Sequence, residues 1–176
     1  MEFINASIDL QQLPQAEAVP YQPIDKKYLT ILRLEWLITV LVLTSVAVLL
    51  YFFLPAMQRA AAGVSTAAVL LLVLVFQRVA IEKSFPRKAF AVRQKDVIYR
   101  YGWLVASVKI CPFSRIQNCT LVSGPLESRY GLATLEIFTA GSGGADMRIP
   151  GLEKGLAERL RQYILEQIHL EDDKEF

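Results

Sequence analysis

The sequence predicts an α+β protein in which a hairpin of two transmembrane helices precedes a small antiparallel β domain closed by a C-terminal helix. Three observations support this class. Two apolar runs, residues 36–54 and 60–76, are separated by a short connection. From residue 89 onward, apolar and polar residues alternate in short segments, as they do in half-buried strands. From residue 152 onward, apolar residues recur at a spacing of three to four, which is typical of an amphipathic helix.

The first apolar run would measure roughly 28 Å as a helix, close to the ~30 Å hydrocarbon core of a bilayer. The second is nominally shorter, but it extends to residue 81 if Arg78 reaches the headgroups with its charged end. Two buried helices in a soluble protein are the alternative, yet the rest of the chain is too short to cover two helices that are apolar all round. We therefore predict a transmembrane hairpin over residues 31–82, with spans at about 36–54 and 60–81.

The basic residues that flank the two runs predict their orientation. The connection between the runs carries only Arg59, whereas Lys26, Lys27 and Arg33 precede the first run. Six basic residues follow the ionisable-free part of the second run: Arg78, Lys83, Arg87, Lys88, Arg93 and Lys95. Because Lys and Arg accumulate on the cytoplasmic side, both termini are expected in the cytoplasm of a cell (plasma) membrane protein. Reduced Cys111 and Cys119 fit that compartment.

Neither run contains an Asp, Glu, Lys, Arg or His residue. Ion or proton transport usually requires an ionisable group inside the membrane, so transport by this hairpin is not expected. The second run offers a face of small residues, Ala61, Ser65 and Ala68, that would let another helix approach closely. Packing of this face on the first helix is the favoured interpretation, and oligomerisation through it is the alternative.

The ends of the chain are predicted to lie outside the folded parts. Residues 1–30 combine acidic and polar residues with Pro14, Pro20 and Pro23 and show no periodicity, so we expect a flexible arm. They lack the basic start of a cleavable signal peptide. Residues 171–176 form an acidic tail that is expected to be solvated.

Within the β domain, strands are predicted at about 89–93, 97–101, 104–111, 116–122, 132–139 and 145–149. The glycine-rich residues 141–144 are interpreted as a hairpin turn, since no Lys-Ser/Thr pair and no helix follows them, as phosphate binding would require. Pro150-Gly151 is expected to end the sheet region. Cys111 and Cys119 would be cross-strand neighbours if a hairpin were centred near Arg115.

Short sequences spread over the second half of the chain narrow the fold further. They are Arg100-Tyr101-Gly102, Pro112-Phe113-Ser114-Arg115-Ile116-Gln117, Gly124-Pro125-Leu126, Arg129-Tyr130-Gly131-Leu132-Ala133-Thr134-Leu135, Thr139-Ala140-Gly141 and Ile149-Pro150-Gly151-Leu152. In order and spacing they resemble the bacterial pleckstrin-homology-like (PH-like) membrane proteins often called YdbS-like, from about residue 37 to 168. The resemblance implies a PH-like β-barrel or sandwich over residues 89–170 in a bacterial or archaeal cell membrane, and it brings no catalytic residues.

The residues of these motifs have structural explanations as well. Gly102, Gly131 and Gly151 lie where the chain is expected to change direction. Gly124 belongs to another interruption of the strand pattern. Pro112 and Pro125 would rigidify strand ends. Arg115 and Gln117 are candidates for partner binding, but hydrogen bonds from their side chains to nearby loop carbonyls are the favoured interpretation.

The function predicted from these features is that of a membrane-anchored binding or scaffolding module. Anionic lipid headgroups of the inner leaflet are the candidate partners of the six basic residues named above, although the same charges would also be explained if they only set topology. The alternative is an accessory subunit that joins a larger membrane assembly, or a homo-oligomer, through an unidentified membrane protein partner.

Other classes of function have little support in the sequence. A net charge of +2 does not suggest a nucleic-acid partner. One histidine and two cysteines are too few for a typical metal site. No nucleophile with an oriented base and no pair of carboxylates is evident, so neither an enzyme nor a cofactor is expected.

Overall fold

The computed structural model describes residues 19–53, 59–140 and 144–172. The element order is a short strand, two long helices, three strands, a strand that leads to a short helix, two more strands and a long C-terminal helix. Among these residues seven strands form two antiparallel sheets, which confirms the predicted α+β class.

Two long helices form the hairpin. Helix α1 covers Lys27–Phe53 and helix α2 covers Arg59–Ser84. Both are long and apolar enough to cross a membrane, and almost none of the residues in their apolar stretches is fully buried within the protein. The hydroxyls of Thr39, Thr44 and Ser45 donate to carbonyls one turn earlier in α1, so these polar groups are satisfied without water.

The first sheet has the order β1-β2-β3-β4, with strands at Gln22–Pro23, Ala89–Val92, Asp96–Tyr101 and Ser107–Pro112. We expected residues 1–30 to form a flexible arm. Within the described part of that stretch, however, Gln22 pairs with Phe90 and Pro23 pairs with Ala89. Ile24 follows with only 4% of its surface exposed and joins the core. The hairpin is therefore inserted between two paired strands of one sheet.

The second sheet has the order β5-β6-β7, with strands at Ile116–Val122, Leu132–Thr139 and Met147–Glu153. Helix α3, Pro125–Arg129, lies between β5 and β6, where only a break was predicted. Helix α4, Lys154–Asp172, packs on all three strands and buries Ile164 completely. The amphipathic pattern from residue 152 onward correctly predicted a helix that covers this sheet.

Several expectations for the strands were wrong in detail. Strand β4 begins at Ser107, so residues 104–106, which were predicted to begin this strand, belong to the loop after β3. Strand β7 continues through Gly151, because this residue takes a φ of 69° and the pairing with β6 shifts register nearby. Cys111 and Cys119 lie in different sheets, opposite Val97 and Ile137, and both are buried free thiols. The turn predicted at residues 141–144 lies mostly outside the described residues.

Candidate functional site

A cavity of about 790 Å³ lies where the hairpin meets the two sheets. Helix α1 contributes residues from its first three turns, and strands β3 to β7, helix α3 and the loop before β7 contribute the rest. The polar and aromatic lining includes Tyr28, Glu35, Tyr99, Tyr101, Lys109, Glu127, Thr134, Asp146 and Arg148. Tyr28 and Glu35 are seven residues apart on α1 and therefore share one helix face. The cavity is thus bounded partly by the membrane anchor itself.

Tyrosines form the aromatic wall of this cavity. Tyr99 and Tyr101 point to the same side of β3, and their rings stack with centroids 5.2 Å apart. Burial raises the pKa of Tyr99 well above its ordinary value, so its hydroxyl stays protonated as a hydrogen-bond donor. Such a wall suits an apolar or aromatic group of a ligand, with hydroxyls available beside it.

Charged groups of both signs line the cavity. The Lys109 ammonium donates to the Asp146 carbonyl at 2.6 Å, and Arg148 pairs with Glu136 at 2.6 Å. The Glu127 carboxylate accepts from the Thr134 hydroxyl at 2.8 Å and from the Gly124 N–H at 3.1 Å. Because carboxylates outnumber cationic groups in the lining, the cavity does not favour a multiply charged anion.

The cavity residues do not form a recognisable catalytic or metal-binding arrangement. Within the described ranges, no three His, Cys, Asp or Glu side chains converge to hold a metal ion. The two thiols are buried in the sheets, and burial raises the pKa of each, so neither is poised as a nucleophile. The arrangement can bind a ligand through hydrogen bonds and aromatic contact.

The joint between α1 and the second sheet fixes one wall of the cavity. The Asp25 N–H donates to the Gly151 carbonyl at 3.0 Å. A Cβ atom placed on Gly151 would lie only 2.7 Å from Cβ and Cγ of Tyr28. The positive φ of Gly151 adds a second reason for glycine at this position. The Gly151 backbone in β7 therefore packs against the Tyr28 side chain in α1 at the base of the membrane hairpin.

An ionic cluster joins the two helices just outside the uninterrupted apolar runs. The Arg33 guanidinium donates two hydrogen bonds to the Glu82 carboxylate, at 2.9 and 3.0 Å, and Arg78 pairs with the same carboxylate. The Arg78 guanidinium also lies 5.6 Å from the centre of the Trp36 ring, and the Trp36 indole N–H donates to the Leu74 carbonyl. Charged groups and tryptophan thus occupy the level at which a membrane protein usually meets the headgroups.

The six basic residues proposed as lipid contacts have different surroundings. Lys83 and Lys95 are exposed, without an ion pair to another described residue. Arg87 is exposed and donates to the Trp103 carbonyl, and Arg93 pairs with Asp96. Lys88 packs over the Tyr28 ring, and burial lowers the pKa of its ammonium. The sixth, Arg78, belongs to the ionic cluster.

The structure separates the small-residue face of α2 from α1. Leu74 is buried against α1, and Gly63 approaches the Tyr51 ring, which a Cβ atom would contact at 3.0 Å. At about 100° per residue, Ser65 lies on the opposite side of α2 from Leu74. Ser65 and Ala68 are exposed, whereas the side chain of Ala61 falls outside the described residues. The face therefore remains open to lipid or to another protein.

The motif residues mostly have local structural roles. Gly102, Gly131 and Gly151 are the glycines with positive φ in the described chain, which confirms that these positions need backbone freedom. Gly124 caps α3, Pro125 is its first residue and Pro112 ends β4. Arg100 lies over the Tyr21 ring. Arg115 and Gln117 are exposed. Hydrogen bonds from their side chains to loop carbonyls stay a prediction.

Sequence reasoning did not identify the cavity residues. The tyrosines and carboxylates that line the cavity come from α1, β3, α3 and the loop before β7, which lie far apart in the chain. The spacing of Tyr28 and Glu35 on one helix face was the available signal, but Tyr28 fell in the stretch that we expected to be a flexible arm.

Comparison with known proteins agrees with this architecture. The family described as the bacterial PH domain matches residues 29–168, which include both helices and most of the two sheets. The chain is also 33% identical over 84 residues to the transmembrane protein YdbS of Bacillus subtilis (strain 168). That alignment covers 48% of this chain and 51% of the relative, about half the length of each. No solved structure shows a significant match.

Proposed function

Because the chain belongs to the bacterial PH domain family, we propose that it is a binding module held by its hairpin at the cytoplasmic face of the cell membrane. The observation that supports this best is the insertion of the hairpin between β1 and β2. The domain is joined to the membrane through both ends of the hairpin, and the Tyr28–Gly151 contact restricts its orientation. Both termini are cytoplasmic in this proposal, in keeping with the distribution of Lys and Arg.

Anionic headgroups contact the module at the base of the hairpin, outside the cavity. Lys83 lies in the last turn of α2 and its ammonium is exposed, so it can reach the headgroups. Lys95 lies at the turn between β2 and β3, which is the end of this strand pair farther from α2. A basic group near the surface of an anionic leaflet contributes about 1 kcal/mol, and this attraction falls off within a Debye length of about 10 Å.

The cavity takes a different ligand. Its aromatic wall and its charged groups of both signs favour a group without a large net charge, bound by tyrosine hydroxyls and by the Lys109 and Arg148 side chains. The module therefore has one surface for the leaflet and a separate cavity for a small molecule or a short segment of a partner.

Binding of fluorescent phosphatidylglycerol to the full chain in neutral detergent micelles tests the lipid contact. Lys83→Glu should weaken binding roughly tenfold, since it removes one attraction of about 1 kcal/mol and adds a repulsion. Lys95→Glu, the matched control with the same change of charge, should leave the affinity within about twofold. No effect of either variant would indicate that the basic residues only set topology, and equal losses would show that the attraction is not confined to the base of the hairpin.

The second candidate is an accessory subunit of a larger membrane assembly. It is supported by the exposure of Ser65 and Ala68 on a side of α2 that α1 leaves open. Mass measurement of the protein extracted from native membranes with mild detergent would distinguish the candidates. A strict monomer with no co-purifying protein would count against the assembly.

A further inference from the structure

The loop between β3 and β4, residues 102–106, is an exposed apolar tip. Its sequence is Gly-Trp-Leu-Val-Ala, without a charged group. Leu104 and Val105 are 72% and 75% exposed, the highest values for large hydrophobic side chains in the described chain outside α1 and α2. Gly102 makes the tight turn possible, because its φ is 100° and a Cβ atom there would lie 2.0 Å from the Val105 carbonyl oxygen.

The tip lies beside the second transmembrane helix. The Trp103 ring is 6.2 Å, centre to centre, from the ring of Phe76, the last residue of the uninterrupted apolar run of α2. The Arg87 guanidinium, just beyond the end of α2, donates to the Trp103 carbonyl. Trp103 is thus held at the level where α2 passes from hydrocarbon to headgroups, a level at which tryptophan is enriched.

The strand direction leads to the same position. Ala89 begins β2 shortly after the end of α2, and it pairs with Arg100. Strand β2 therefore leads away from the helix end, and β3 returns past it, so the loop that follows β3 is on the membrane side. The directions of β2 and β3 and the Trp103–Phe76 contact are independent observations, and both place the tip at the same leaflet.

We propose that the tip inserts Leu104 and Val105 into the interfacial region of the leaflet from which α2 emerges. The bilayer is the occupant because the tip is continuous with the lipid-exposed surface of α2 at Phe76, which is itself 53% exposed. Apolar side chains gain free energy on leaving water for this region, while Trp103 stays at its polar boundary.

The consequence is a third point of membrane attachment. The two helices fix where the domain sits, and the joint at Gly151 resists a tilt of the domain about their ends. An inserted tip on the β3–β4 side opposes that tilt. This inference needs only the two spans, and it holds whether or not Lys83 binds anionic headgroups.

Site-directed spin labelling of the full chain in phosphatidylcholine liposomes tests the proposal. Val105→Cys places a nitroxide at the tip, and Gln94→Cys places the matched control at the other end of β3, where the side chain is exposed. Cys111 and Cys119 are buried, so the wild-type chain measures the background labelling. Freeze–thaw cycles load a water-soluble nickel chelate on both sides of the bilayer.

The tip label should collide more often with dissolved oxygen, which concentrates in lipid, than with the nickel chelate, and the Gln94 label should show the reverse. A nickel accessibility at position 105 that equals the value at position 94 would overturn the proposal. Shielding of position 105 from both reagents, with dipolar broadening between labels, would overturn it as well, because the tip would then contact a second copy of the chain.

Discussion

The two sheets of the domain are completed in different ways. The second sheet is built from consecutive strands between Ile116 and Glu153 and is covered by the helix that follows it. The first sheet takes its outer strand from residues that precede the hairpin. This difference indicates that the membrane anchor and the domain form one folding unit. A fragment that begins at residue 89 would lack β1, Ile24 and the Tyr28 contact.

Substitution of Gly151 should have the largest effect, since this residue joins α1 to the second sheet. In Gly151→Ala the new methyl group would overlap Tyr28 and the backbone would keep its positive φ. Strain of about 1–2 kcal/mol from the φ angle and about 1–3 kcal/mol from overpacking together predict a loss of about 2–5 kcal/mol. Urea unfolding of the domain in mild detergent micelles, followed by the fluorescence of Trp36 and Trp103, measures the loss.

Gly131→Ala is the matched control for the Gly151 substitution. Gly131 has the same φ of 69°, but a Cβ atom there meets nothing within 4 Å. It should therefore cost only the strain of the φ angle, about 1–2 kcal/mol. If the two variants lose equal stability, the contact between α1 and β7 does not hold the joint.

Ile24→Ala tests the contribution of the segment before the hairpin. Ile24 is almost fully buried in the core, so truncation should cost about 3 kcal/mol of the free energy of unfolding. Ile110→Ala makes the same chemical change in β4 of the same sheet, where the side chain is 52% exposed. The control should cost less than about 1 kcal/mol, because little apolar surface is lost there.

Equal losses from the two isoleucine variants would contradict the idea that the first sheet depends on residues before the hairpin. Denaturant midpoints of the two variants, compared in the same micelles, decide the matter. The slope of each transition should stay close to the wild-type slope if only stability has changed.

The parts of the fold that could be predicted from the sequence are those with regular periodicity. The apolar runs predicted α1 and α2, and the stripe of Leu152, Leu156 and Leu160 predicted α4. Strand β1 has two residues and therefore no period that a pattern could reveal. Residues 104–106 begin a segment, 104–111, that was predicted as one strand, but Leu104 and Val105 are exposed in the tip beside α2. The cavity could not be predicted, because tertiary packing alone brings Tyr28 to Tyr99.

The smallest expected effect is a dependence of the free energy of unfolding on pH. Each sheet contains one buried thiol, so this dependence can be compared between the two sheets. Burial raises the pKa of Cys111, in β4, and of Cys119, in β5. The unfolded chain, with an ordinary thiol pKa of about 8.5, therefore releases its protons first as the pH rises. Stability contributed by the neutral thiols is complete below that pH and is lost as the pH rises toward the folded pKa, by at most about 1.4 kcal/mol per unit for each thiol.

Urea titrations between pH 7 and pH 10 measure this slope, and Cys111→Ala and Cys119→Ala should each flatten it. Their absolute stabilities will differ, so the slope above about pH 8.5 is the informative quantity. A steeper loss through Cys119 than through Cys111 would mean that the second sheet excludes water more strongly. A slope that neither substitution changes would show that the thiols ionise equally well in the folded and unfolded chains, which would contradict their burial.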